Sequence, residues 1–209
     1  RLLNVVTEMA LAAGTPVPAV YVLDGELGIN ALAAGWQLDD AVICVTRGCL
    51  DKLTRAELQG VVAHEFSHIL HGDARLNLRL MGIVYGMVSV HMMGAFQPAR
   101  GREDGRSLAA LGVIVAGLGG VGALMSKLIK AAVSRQREFL ADASAVQFTR
   151  NPDGIAGALK KIGGYSLGAR VRQAQAAEIS HFFFDDIGLD DSWAWLSTHP
   201  DLEERIRRV

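Results

Sequence analysis

His64 and His68 stand four residues apart in "HEFSH". On a helix that spacing puts two imidazoles on one face, about one turn apart, where both can reach a single zinc ion. Glu65 sits beside them, placed to take a proton from a water held by that ion. The helix that would carry them, "LQGVVAHEFSHILHG", is otherwise largely apolar, so two imidazoles buried on it need partners. A metal supplies such partners, and a chance cluster on a polar helix face does not.

Two histidines leave a catalytic zinc site short of its usual third protein ligand. His71 is almost two turns from His64, about 10 Å along the axis at roughly 1.5 Å per residue, and reads as a supporting or surface histidine. A metzincin arrangement would need glycine at position 71 and histidine at position 74, where this chain has His71 and Ala74. The stretch "REFLADASA" instead offers Glu138, with Asp142 four residues later on the same helical face. Glu138 could bind the ion while Asp142 accepts a hydrogen bond from the free ring nitrogen of a ligand histidine. Glu138 is the favoured third ligand; the competing reading is a solvated acidic face in which the two carboxylates pair with Arg135 and Arg137.

Several elements must position these groups. Leu2, Leu3, Val6, Met9 and Ala10 recur at helical spacing over residues 1–13, and Gly14, Pro16 and Pro18 stop that helix. Three β-like runs follow at 19–23, 28–35 and 41–46, predicting a small sheet with an exposed edge. Thr54 and Glu57 form a capping box ahead of the histidine helix, which Gly72 ends. In "STHPDLEERIRRV", Pro200 is placed to start a helix, with Asp201, Glu203 and Glu204 near its positive end. His199 just before it is either held over a cleft or a surface capping residue.

Composition bounds the rest. The chain of 209 residues suffices for one core-bearing domain plus an appendage, and 50% hydrophobic residues point to contact with lipid or a large partner. A formal charge of -1 gives no global field for nucleic acid. Cys44 and Cys49 belong to no C-x-x-C pair and read as packed thiols. The chain opens at Arg1 without a signal-peptide pattern and is expected to be a portion of something longer.

The stretch "GVIVAGLGGVGALMSKLIK" carries Gly117, Gly119 and Gly122 in a G-x-G-x-x-G pattern. A dinucleotide site would need a second strand ending in an acidic residue about twenty positions on. The continuation "SKLIKAAVSRQREFLAD" keeps helical spacing and is too polar for a buried strand, so no nucleotide is expected. Leu80–Phe96 and Leu108–Ser126 are instead two charge-free runs joined by the polar "QPARGREDGR", and they predict a transmembrane helical hairpin. Gly112, Ala116 and Gly120 stand at small-xxx-small spacing for close helix approach. His91 is a cost in lipid, and a buried helical pair within a soluble fold is the competing reading. Arg75, Arg79, Lys127, Lys130, Arg135 and Arg137 on the flanks outnumber Arg100, Arg102 and Arg106 at the tip, which favours a cytoplasmic active site.

The segments "INALAAG", "VVAHEFSHILHGD", the two apolar runs, "SRQREFLADASAV" and "STHPDLEERI" resemble, in order and spacing, the HtpX-like membrane zinc metallopeptidases, a family that includes the CAAX prenyl endopeptidases. The resemblance implies a gluzincin fold with one zinc per chain held by His64, His68 and Glu138, and Glu65 as general base and acid. It implies that His199 stabilises the oxyanion and that Arg205 supports that part of the site. It also implies that Asn30, Ala31, Leu32 and Ala33 form an edge strand holding extended substrate backbone. Leu32 departs from the aromatic residue common there, and Asp201 from a proline.

The expected architecture is α+β: a mainly helical peptidase domain with a small antiparallel-edged sheet. Residues 1–79 would carry the sheet and zinc helix, 80–126 the membrane hairpin, and 127–209 the third ligand. The expected activity is zinc-dependent cleavage of unfolded or misfolded polypeptides at a bilayer, in a bacterial inner membrane with the active site facing the cytoplasm. The competing readings are an inactive or gated zinc-stabilised scaffold that binds client segments, and a narrow-specificity processing peptidase.

Overall fold

The computed structural model describes residues 1–95, 105–171, 184 and 199–209. The chain divides into two compact units, one comprising residues 1–75 and 133–209, the other residues 76–132. In the first, helix α1 (Leu2–Ala13) buries Leu2, Val5, Val6, Met9 and Ala10. This is the i, i+3, i+4, i+7, i+8 stripe of an amphipathic helix. Leu3, counted in that stripe from sequence, is 67% exposed. Val5 replaces it because it falls three residues from Leu2 and four from Met9, while Leu3, about 100° round the helix from Leu2, lies just outside the stripe. Gly14 closes the helix at φ 68, its N–H bonded to the carbonyls of Ala10 and Leu11.

Strands β1 (Ala19–Leu23), β2 (Ala31–Ala34) and β3 (Val42–Thr46) form one sheet in the order β1-β3-β2. β1 runs parallel to β3 and β2 antiparallel, so the sheet is mixed and only its β2 edge is antiparallel. β2 is shorter than the β-like run because Asn30 is committed elsewhere. Its Nδ2 donates to the Ala169 carbonyl at 2.7 Å, and its Oδ1 accepts from Ala31 N–H at 2.9 Å. The Asn30 carbonyl accepts from Thr46 N–H at 3.0 Å and therefore faces β3. By alternation the backbone groups of Leu32 also face β3, and those of Ala31 and Ala33 face the outer edge. Cys44 and Cys49 are free and buried. The Cys49 thiol donates to the Asn30 carbonyl at 3.1 Å, and burial pushes it up to about 12, as suits a packed thiol.

Helix α2 (Arg47–Lys52), capped by Thr46, leads to α3 (Arg55–His71), which carries the histidine pair. The expected capping box forms: Thr54 Oγ1 accepts from Glu57 N–H at 3.3 Å, and Thr54 N–H donates to Glu57 at 2.7 Å. Gly72 ends α3 at φ 66. Helix α6 (Pro152–Gly164) crosses α3 backbone to backbone. A Cβ on Gly60 would lie 2.6 Å from Ile155 N, and one on Gly154 2.7 Å from the Ala56 carbonyl oxygen. With Val61, Val62, Phe66, Ile155 and Leu159 all at 0% exposure, this crossing fixes one side of α3 and turns the other toward the site.

Helix α4 (Asp73–Ala95) follows Gly72, and α5 (Gly105–Thr149) runs unbroken through the second apolar run to Glu138 and beyond. The Glu138 helix is thus continuous with that run, since no proline or glycine interrupts "SKLIKAAVSRQREFLAD". The glycine-rich stretch 112–130 is helical throughout. Helix α7 (Leu202–Arg208) starts later than Pro200 implied. Asp201 takes the N-cap, accepting from Glu203 N–H at 3.0 Å, which leaves Pro200 outside the helix.

Within the second unit, a Cβ on Gly119 would lie 2.6 Å from His91 N, so α4 and α5 touch there without intervening side chains. Tyr85, Met93, Val113, Leu118 and Val121 are each at least 60% exposed. Among the described residues, no helix is long and apolar enough to cross a membrane. Residues 97–104, which form most of the expected polar turn between the runs, lie outside the described residues.

Candidate metal centre

Because His64 and His68 are one turn apart on α3, their Nε2 atoms approach to 2.9 Å. Helix α5 presents Glu138 to both, with Oε2 3.5 Å from His64 Nε2 and Oε1 3.6 Å from His68 Nε2. Ligand atoms bound at about 2.0–2.1 Å to a tetrahedral ion stand roughly 3.3 Å apart. The three donors match that spacing, and their type, two imidazoles and a carboxylate, matches a zinc site with one position left open. His64 is fully buried, while the His68 side chain is 17% exposed, so the centre opens to solvent on the His68 side.

Each histidine is held from behind by a carboxylate. Asp142 Oδ1 lies 2.9 Å from His64 Nδ1, and Asp73 Oδ2 lies 2.6 Å from His68 Nδ1. A carboxylate at Nδ1 keeps the proton there and leaves Nε2 as the ligand atom. Asp142 was foreseen as such a partner; Asp73 was not. Asp73 is itself paired with Arg137, which also donates to the His71 carbonyl at 3.0 Å. Arg137 therefore serves the His68 side rather than pairing with Glu138 and Asp142, as the acidic-face reading would have it. The signal for Asp73 was its place one residue past the Gly72 turn, from where its side chain reaches His68. Asp73→Asn is expected to weaken zinc affinity about 10–100-fold, measured by competition with a chromophoric chelator.

Arg205, brought in by α7, is fully buried and grips Asp142 with two bonds, Nε to Oδ2 and Nη2 to Oδ1, both 2.8 Å. Its Nη1 donates to the Phe184 carbonyl at 2.9 Å and lies 3.6 Å from Glu138 Oε2. His199 is buried beside the same carboxylate, its Nδ1 3.3 Å from Glu138 Oε2. His71 stays outside the cluster, exposed, with Nδ1 3.1 Å from Ser67 Oγ.

The electrostatics follow from these contacts. Burial opposes charge on His64, but hydrogen bonds and attraction from Asp142 and Glu138 outweigh it and raise its pKa to about 9. His68, largely shielded from water and beside a charged His64, is lowered to about 4. Burial would raise both carboxylates, yet His199, His64 and Arg205 hold Glu138 well below the usual range, and Arg205 with His64 brings Asp142 to about 2. Glu65 differs: burial pushes its pKa up despite the neighbouring imidazoles. Among the described residues neither of its buried carboxylate oxygens has a hydrogen-bond partner. A buried carboxylate without hydrogen-bond partners beside three atoms that could hold a metal fits a group left for a water or substrate.

The edge of β2 adjoins a cleft of about 580 Å³ whose lining includes Ala33, Gly35, Trp36, Leu38, His68 and Arg75. Of the four residues expected to meet substrate, Asn30 is wholly buried and Leu32 half-buried. The outward carbonyl of Ala31 already accepts from Phe184 N–H at 2.8 Å. Ala33 lines the cleft, and among the described residues nothing pairs with its outward backbone groups.

Comparison with known proteins follows the same lines. A family model described as "Peptidase family M48" matches residues 1–209. A protein named "Protease HtpX homolog" from Dictyoglomus turgidum is 36% identical over 211 residues, covering 100% of this chain and 68% of that protein. One of the same name from Thermoanaerobacter pseudethanolicus is 38% identical over 215 residues, covering 99% and 70%. Among solved structures, that of S. mikatae Ste24p matches with a TM-score of 0.59 at 19% identity, a likeness of fold. It covers 100% of this chain, which spans about half of that protein, 49%.

Proposed function

Since the chain belongs to peptidase family M48, we propose that it is a zinc-dependent endopeptidase that cuts unfolded or misfolded polypeptides at a membrane. The observation that carries this reading is the cluster of His64, His68 and Glu138, with donor atoms within 4.8 Å of one another and Glu65 beside them. Zinc bound there would polarise the scissile carbonyl and acidify a water.

The rest of the chemistry falls to the chain's own side chains. Glu65 takes the proton of the attacking water and delivers it to the leaving amine, a task suited to a carboxyl whose pKa burial has raised. His199 stands beside Glu138 and offsets charge on the tetrahedral oxygen, and Arg205 holds Asp142 and so the His64 ring. Ala33 offers its outward N–H and C=O to an extended substrate segment, which enters through the cleft on the His68 side. Recognition through backbone groups selects unfolded segments more than one side chain, so broad specificity is expected.

We read residues 80–126 as a membrane hairpin inserted in chain order between the two parts of the peptidase domain, 1–79 and 127–209. The charge-free runs and the exposed apolar residues of α4 and α5 support contact with lipid, and the basic flanks support a cytoplasmic active site.

The test is metal removal. Detergent-purified protein is expected to cleave a reduced, unfolded model protein, to stop after chelator treatment, and to recover with one equivalent of zinc. Cleavage that persists without metal would refute the proposal, and zinc retained without cleavage would favour the scaffold reading.

Zinc binding should also release protons. With its pKa near 9, His64 carries a proton at neutral pH in the metal-free protein, while His68 at about 4 does not. The proton and zinc compete for His64, so lowering pH weakens zinc binding and raising it toward 9 strengthens binding. About one proton per zinc is expected at pH 7, read by calorimetry in buffers of differing ionisation enthalpy.

A further inference from the structure

Phe184 has no part in the peptidase reading above, yet its backbone and ring join three parts of the candidate centre. Its N–H donates to the outward carbonyl of Ala31 on β2, at 2.8 Å, and its carbonyl accepts from Arg205 Nη1 at 2.9 Å. The ring is 0% exposed and meets the His64 imidazole edge to face, with centroids 4.8 Å apart and planes at 82°. Arg205 Cζ covers it at 4.8 Å from its centroid.

A residue fixed at both backbone ends has little freedom to move its ring, and an edge-to-face pair has a preferred geometry. Asp142 sets the His64 ring from Nδ1, but one hydrogen bond leaves rotation about its line. The Phe184 ring blocks that rotation on one side, and the His68 ring, at 4.7 Å and 78°, on another.

We propose that Phe184 is a positioning residue for the metal ligand His64, holding its ring so that Nε2 faces His68 and Glu138. The inference rests on the zinc reading. It has a second consequence: by occupying the Ala31 carbonyl, Phe184 ends the open edge of β2, so a substrate strand pairs from Ala33 onward into the cleft.

The test uses the full detergent-purified chain with cobalt(II) in place of zinc, comparing wild type with Phe184→Leu, Phe184→Ala and, as a control, Leu53→Ala. Leu53 is also buried, where α2 ends, and its truncation loosens the core away from the site. Both Phe184 variants are expected to shift the cobalt visible bands, to release zinc about tenfold faster, and to lower kcat with KM unchanged. Leu53→Ala should lower Tm with none of these changes. If Phe184→Leu loses thermal stability as the control does but keeps the wild-type cobalt spectrum and zinc release, Phe184 only fills space and the proposal is overturned. Should Phe184→Ala fail to fold, the milder Phe184→Leu decides. Absence of cobalt bands in wild type would overturn the zinc reading itself, and this proposal with it.

Discussion

Glu65→Gln is expected to keep zinc and lose cleavage, with kcat reduced by about 10²–10⁴-fold, the contribution of a well-placed general base. Glutamine has the shape of glutamate but cannot take up the water's proton. The substitution disturbs little else, because among the described residues the Glu65 oxygens bond to nothing that an amide would lose. Glu65 is fully buried and its charge is disfavoured there, so the neutral amide should leave Tm unchanged or raise it. Zinc content, melting temperature and cleavage rate on one preparation check the prediction. A variant that unfolds or sheds zinc would make Glu65 a structural residue, and one that still cleaves would remove it from the chemistry.

Arg205→Met should produce the largest loss of stability. The guanidinium is 0% exposed, bonds both oxygens of Asp142, caps the Phe184 carbonyl and faces Glu138. Removing one partner of a buried ion pair strands the other charge, at a cost of about 3–5 kcal/mol. For a chain of this size that lowers Tm by roughly 6–20 °C, and zinc affinity should fall with it because Asp142 no longer holds His64. Arg205→Lys should recover only part of the loss, since an ammonium cannot grip both carboxylate oxygens and the carbonyl together. Thermal melts with and without zinc measure both effects. A Tm within a degree or two of wild type would mean that the ion pair has been misjudged.

What could be read from sequence was mostly local. The histidine pair, the Thr54–Glu57 capping box and the Gly72 stop depend on residues within one or two turns, and each sits where spacing put it. Glu138 and Asp142 could be paired as i and i+4 on one helix, but their meeting with α3 depends on the crossing of separate elements. His199 could be placed ahead of a helix start but its role was left open, and Arg205 was reachable only through resemblance, because nothing in a short basic tail says that an arginine will be buried against two carboxylates. Asp73 was missed because Gly72, at φ 66, ends α3 before it, and helical periodicity does not extend across such a break. Phe184 was missed for a related reason: it touches the site by backbone and ring from 120 residues beyond His64. The α3–α6 crossing, set by Gly60 and Gly154, lay hidden because the absence of a side chain leaves no periodic signal.

X-ray absorption at the zinc edge, on the detergent-purified chain, tests the central claim most directly. Two imidazole nitrogens and one carboxylate oxygen at about 2.0–2.1 Å, with a further light-atom scatterer in the open position, are expected for His64, His68 and Glu138. A sulfur shell near about 2.3 Å, or a sample that binds no zinc, would contradict the account.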